Sequence, residues 1–152
     1  MNSNIDIEGL LSFIHKSFIK KENLSLDDVL HFVNDSLLAE DIIRSYKNLI
    51  DEKSYIKNGK FIVVSGIDKS GKETQAISGT GCVKPLRQFL VEKGFNVMTI
   101  LQPSYDTRLG SLIKYYLTES KKTIKPAWML WSLDRAQHKE KIIEWLSNLK
   151  PL

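Results

Sequence analysis

The stretch Phe61-Ile-Val-Val-Ser-Gly66-Ile-Asp-Lys-Ser-Gly71-Lys72-Glu-Thr-Gln75 holds the residues whose spacing best suits chemistry. A β-branched apolar run enters a loop with glycines at 66 and 71 and a lysine at 72, followed by a helix-like segment. This is the strand–loop–helix layout of a phosphate-binding P-loop. Gly66 and Gly71 permit positive φ or close main-chain approach, so that loop N–H groups from Gly66 through Ser70 to Thr74 can surround phosphate oxygens. The helix N-terminus adds partial positive charge, and Lys72 adds a mobile full charge. One position departs from the pattern. Where a Ser or Thr hydroxyl would ligate Mg²⁺, the chain has Glu73. A carboxylate suits a first helical turn and can bind Mg²⁺ itself, but it also sets negative charge beside the phosphates. Thr74 does not replace the hydroxyl, because the next helical position points about 100° away.

The elements that must hold this loop follow from periodicity. Residues 60–66 read as a buried strand and 95–101 as a second. Lys72 to Ile77 starts a helix that Ser78-Gly-Thr-Gly-Cys82 breaks. Helix resumes near Pro85 and ends at Lys93-Gly94. Thr107 to Leu117 reads as a helix capped by Asp106 or Thr107, and Trp128 to Leu149 as one long helix. Residues 1–57 look wholly helical. Ile7, Leu10, Leu11, Ile14 and Phe18 share one face, and Ser25 with Asp28 forms a capping box ahead of Leu26, Val29, Leu30, Val33 and Leu37. Ile42, Ile43, Tyr46, Leu49 and Ile50 supply a third stripe. Asp51-Glu-Lys-Ser and Asn58-Gly59 read as a turn or linker.

The bulk numbers bound the class. The chain has 152 residues, 42% hydrophobic and 26% charged, which suits one globular domain or a domain with an appendage. No apolar run reaches the ~20 residues of a membrane helix. The polar start, Met1-Asn-Ser-Asn-Ile-Asp6, lacks the layout of a secretion signal. A single cysteine, Cys82, excludes an internal disulfide and fits a reducing compartment, so cytoplasm is the expected location. A partly buried inert Cys82 is favoured over a catalytic thiol. The net charge of +4 is scattered, with short runs at Lys20-Lys21 and Lys121-Lys122, and reads as a solvated basic surface without a nucleic-acid module or zinc-ligand spacing. His15 and His31 read as packed or surface imidazoles, and His138 as structural.

From about 60 to 146 the chain resembles thymidylate kinase, a P-loop nucleoside monophosphate kinase. The resemblance rests on the P-loop segment, the strand ending Leu101-Gln-Pro103, Leu109-Gly110-Ser-Leu-Ile113-Lys-Tyr-Tyr-Leu117, and Leu133-Asp134-Arg135-Ala-Gln-His138. It implies an α/β fold. That fold is the N-terminal portion of a P-loop kinase with a three-layer parallel sheet at 58–152, preceded by a helical extension at 1–57. It also implies transfer of the γ-phosphoryl group of Mg·ATP to dTMP, giving dTDP and ADP. Lys72 would cradle the β- and γ-phosphates, and Lys69, where some members carry an arginine, would offset charge on the transferring group. Asp68 would hold the acceptor's sugar 3′-hydroxyl, Arg135 the thymine carbonyl, and Trp131 would stack on the thymine ring. Without the resemblance, Trp128, Trp131 and Trp145 read most simply as core, and Arg135 beside Asp134 as a surface pair worth under ~1 kcal/mol.

The same resemblance marks departures. The Gln102-Pro103-Ser104-Tyr105 turn lacks the family's arginine for the acceptor phosphate; Tyr105 takes the matching position and Arg108 stands close enough in sequence to substitute. Ile77 to Val83 reads as an insertion of about seven residues, roughly two helical turns. The family continues past this chain with a strand between the first two, bearing an Asp-Arg pair, and a lid. Strands 60–66 and 95–101 would then lack their natural neighbour. Another pairing of the two, completion by a second chain (a homodimer included), or a partly disordered product are the open outcomes. Three functions stay open: a dTMP kinase, a degenerate kinase that binds nucleotide, and a partner-binding module built on residues 1–57.

Overall fold

The computed structural model describes residues 5–51, 59–119 and 126–148. Expectations placed on residues 1–4, the linker at 52–58, Lys121-Lys122 and Leu149 fall outside them. In chain order the elements are α1 (Ile7–Lys20), α2 (Leu26–Leu30), α3 (Ser36–Ile50), a π-helical turn at Thr74–Ser78, α4 (Leu86–Glu92), α5 (Arg108–Glu119), α6 (Trp128–Ala136) and α7 (Lys139–Asn148). The chain forms two compact units, one from 1–54 with 101–142 and the other from 55–100 with 143–152.

The first unit is a helical bundle whose ends are locally encoded. Asp6 accepts from Gly9 N–H at 2.9 Å, and Asp35 accepts from Leu38 N–H at 3.0 Å. Each satisfies an amide that the first helical turn leaves open. The capping box read at Ser25 and Asp28 is present. Thr107 caps α5, its Oγ1 accepting from Gly110 N–H at 3.0 Å. Between these ends the apolar stripes converge. Leu10, Leu11 and Ile14 of α1, Leu38, Ile42 and Tyr46 of α3, Leu109, Leu112 and Ile113 of α5, and Met129, Leu130 and Leu133 of α6 are fully buried together. Lys139 Nζ donates to the carbonyls of Asn48 and Asp51, closing the C-terminal end of α3.

The helix expected over 128–149 is two helices. At Gln137-His138 the backbone tightens, His138 N–H bonding Arg135 O at 3.2 Å, and each side chain has a partner outside α6 and α7, Thr107 for Gln137 and Ser104 for His138. Such i→i−3 closure ends a helix without Gly or Pro, which is why residue types did not mark the break.

In the second unit the expected parallel sheet is not seen among the described residues. Residues 60–66 and 95–101 are neither helix nor strand: among the described residues no strand forms, and the one β-bridge joins Thr80 to Val83. Phe61, Ile62, Val63 and Val64 are exposed, Val63 at 71%. A strand is a pairing and not a property of one segment; its N–H and C=O groups point sideways and need a neighbour. The break read at Ser78–Cys82 begins one residue later, because the π-helical turn runs through Ser78. The π-turn closes through Gly79 N–H to Thr74 O at 2.9 Å, and Gly79–Val83 turns back before α4. A π-turn absorbs extra residues within a helical run. Pro85 stands at the N-cap of α4, and Gly94 ends it at φ +87. Cys82 is exposed, contrary to the expectation of partial burial, because the glycines of its loop offer no side chains to cover it.

Candidate functional site

The residues singled out for chemistry fall into both units. In the second unit Gly66–Ser70 and Glu73 are exposed, and Gly71, Lys72 and Thr74 are partly exposed. Gly71 sits at φ +80, a conformation open to glycine at little cost. Lys69 is held at φ +59, where a side chain costs about 1 kcal/mol. Ser70 N–H closes the turn onto Ile67 O at 3.3 Å. Lys72 Nζ donates to the carbonyls of Gly66 at 2.8 Å and Ile67 at 2.5 Å. The lysine therefore lies across its own loop, and its ammonium is the group that phosphate oxygens would draw away. Lys69, Ser70, Gly71, Lys72, Glu73 and Thr74 line an open concavity of about 380 Å³, within the size range of ligand sites. Asp68 is exposed at the turn, and Glu73 is exposed in the first helical residues.

Mg²⁺ in nucleotide sites commonly takes one or two protein carboxylates and completes its shell with phosphate oxygens and water. Glu73 beside Lys72 fits that donor set as a single ligand. No cluster of three or more His, Cys, Asp or Glu that could hold a metal exists among the described residues.

In the first unit the Leu133–His138 string organises the turn at Gln102–Tyr105, whose Gln102–Pro103 peptide is cis. Asp134 is 1% exposed and accepts Ser104 N–H at 3.1 Å and 3.3 Å through its two oxygens. Gln137 Nε2 donates to Asp134 Oδ1 at 2.8 Å and to Thr107 Oγ1 at 3.3 Å. Ser104 Oγ lies 2.7 Å from both Leu101 O and His138 Nε2. The single hydroxyl proton goes to the carbonyl, so the hydroxyl accepts from His138 Nε2–H. Burial pushes the Asp134 carboxyl above its ordinary value, with the Ser104 N–H and the nearby His138 opposing. Burial pushes the His138 imidazole below its ordinary value, and Asp134 opposes that. Gly110 is required by the same packing, since a Cβ there would overlap the Ser104 carbonyl.

This geometry corrects one reading. Asp134 is no surface partner of Arg135: the carboxylate faces inward to Ser104, while Arg135 is exposed with Nη1 3.4 Å from Trp131 O. Trp131 is half-buried, packed on the bundle core with its ring edge-on to Tyr116 at 5.9 Å. Trp128 is exposed and meets His15 and Phe18 edge-on, and His31 meets Phe32 in the same way. Tyr105 is half exposed. Arg108 Nη1 is bound to Asp41 Oδ2 at 2.9 Å.

Comparison with known proteins gives the string and the loop a context. The chain is 38% identical over 91 residues to the probable thymidylate kinase of Pyrococcus horikoshii, covering 56% of this chain and 40% of that protein. It is 38% identical over 89 residues to the thymidylate kinase of Prochlorococcus marinus (56% and 41%). It is 33% identical over 87 residues to that of Plasmodium falciparum (57% and 38%). Over that region the chain is similar to thymidylate kinases. It spans about two-fifths of the length of the curated relatives it matches. No family model and no solved structure matches it.

Thymidylate kinase similarity implies a P-loop kinase fold. Reading the sequence against the thymidylate kinase pattern missed Ser104 and Asp41. For Ser104 a signal existed: Asp134 follows Leu130 and Leu133 on the buried helical face, where an unpaired carboxylate would be costly and so needs partners. For Asp41 there was none, because its partner Arg108 lies 67 positions away.

Proposed function

We propose that the chain acts as a thymidylate kinase-like phosphotransferase, carrying the γ-phosphoryl group of ATP to dTMP and giving dTDP and ADP. The observation that carries this reading is the sequence match to thymidylate kinases at up to 38% identity over 91 residues. The loop geometry supports it, since Gly71 holds positive φ and Lys72 stands over the Gly66 and Ile67 carbonyls. On this reading Lys72 exchanges those carbonyls for β- and γ-phosphate oxygens, with loop N–H groups from Gly66, Ser70, Gly71 and Thr74 around them. Lys69 neutralises charge on the transferring group, and Glu73 is a ligand of Mg²⁺, whose role when bound is to screen the phosphates. Asp68 takes the acceptor's 3′-hydroxyl, Trp131 and Arg135 take the thymine, and Tyr105 with Arg108 takes the acceptor phosphate. Residues 1–57 form a helical extension to a P-loop domain at 58–152, and a second chain, another copy included, pairs with the exposed segment at 61–64.

A second reading is favoured by one observation. Glu73 stands where the pattern has a hydroxyl, so the chain binds nucleotide, or a partner, without turnover. No helix among the described residues is long and apolar enough to cross a membrane. Calorimetric titration with ATP, with and without Mg²⁺, comes first. Saturable binding that is lost in Lys72→Ala is the expected result. A coupled assay then measures ADP release; release that requires dTMP supports the kinase, and binding without release supports the second reading. Absence of ATP binding by the folded chain rejects the kinase and nucleotide-binding readings and leaves a partner-binding module.

A further inference from the structure

Asp41 on α3 is shared by two arginines. Its Oδ2 lies 2.9 Å from Arg108 Nη1, and its Oδ1 lies 2.5 Å from Arg44 Nη2. The Asp41 side chain is 16% exposed, whereas those of Arg108 and Arg44 keep 46% and 61%. The carboxylate is thus the inner member of the triad and the guanidinium groups the outer ones. Each guanidinium has five N–H donors, and among the described residues Asp41 is the one side chain that either arginine bonds. Two cations against one anion leave a net charge of +1. Paired guanidinium forks on neighbouring oxygens are the arrangement that recognises carboxylate and phosphate alike.

We propose that Arg108 and Arg44 form a binding site for a phosphate monoester, with Asp41 as its internal occupant. The proposal rests on the reading of Arg108 as the acceptor-phosphate residue and adds Arg44, supplied by the helical extension, to it. It accounts for a Gln102–Tyr105 turn without an arginine, since the missing charge comes from α3. Asp41 presents like charge to an incoming phosphate and lowers its affinity. It also orders the two arginines in the absence of ligand.

The test titrates the full chain with inorganic phosphate, dTMP and thymidine by calorimetry. Asp41→Asn should bind phosphate and dTMP about fivefold tighter than the parent, the scale of one partly exposed charge contact, with thymidine unchanged. Adding Arg44→Gln should return both affinities to the parental value or below. The P-loop is common to all variants, so these differences report the arginine site alone. Equal or weaker phosphate binding by a folded Asp41→Asn chain, judged by circular dichroism, overturns the proposal. If that variant does not fold, Arg44→Gln decides: threefold or greater loss of phosphate binding supports the site, and unchanged binding overturns it. Phosphate responses as expected, with neither dTMP nor thymidine bound by any variant, would keep the anion site and reject the dTMP reading.

Discussion

Leu112 on α5 has no exposed surface, whereas Val63, ahead of the phosphate loop, keeps 71% of its own, although both sit in apolar stretches. The helices close their backbone bonds internally and leave one stripe of side chains to bury, and α1, α3, α5 and α6 bury theirs on one another. The segment at 61–64 cannot close its own backbone bonds, and no ladder forms on it among the described residues. Local hydrogen bonding, not apolar content, separates the two regions.

The largest expected effect tests that difference directly. Leu112→Ala should cost about 2–5 kcal/mol in urea unfolding, because it opens a cavity in the bundle, while Val63→Ala should stay within ~0.5 kcal/mol. Comparable losses, or amides of 61–64 protected from hydrogen exchange as well as those of α5, would mean that the segment is paired and the contrast fails. Next, Asp134→Ala should cost about 1–3 kcal/mol by leaving the buried Ser104 N–H without its acceptor. Thermal melts that match the parent would remove the Ser104–Asp134 link from the account of the bundle. Asp35→Ala should cost about 1 kcal/mol by uncapping α3, and a loss below a few tenths would show that tertiary packing alone fixes that end.

The smallest effect is in pH. The His138 pKa is lowered by burial from 6.5, so the unfolded chain binds more protons below that value and stability falls as the pH drops through it. Asp134 acts oppositely. Its pKa is raised from 3.8, so stability falls as the pH rises from there through its folded value. His138→Gln should flatten the acid slope below about pH 6.5 in melts recorded across pH; an unchanged slope would assign the acid sensitivity to another group.

Much of the bundle was legible. The stripes at Ile7–Phe18 and Ile42–Ile50, the Ser25–Asp28 box and, in the second unit, the Gly94 stop are local patterns, and each acts within about four residues. The turn at Gly71 was legible for the same reason, because its positive φ is set by near neighbours. The break at Gln137-His138 was not, since it depends on Ser104 and Thr107, about thirty positions earlier. The pairing of the two strand-like segments was not legible, because an apolar β-branched run specifies the capacity to pair and not the partner.

The sequence by itself determined where most of the helices start and stop, which faces are apolar, and that Gly71 can hold a positive φ. Those properties follow from short-range sterics and from hydrogen bonds between residues close in the chain. Tertiary structure alone decided that Asp134 faces inward to Ser104, that Asp41 holds Arg108 and Arg44, and that Phe61–Val64 stays exposed. Each of these depends on which distant group arrives within about 3 Å, and hydrogen-bond energies fall away too steeply with distance for chain spacing to stand in for contact.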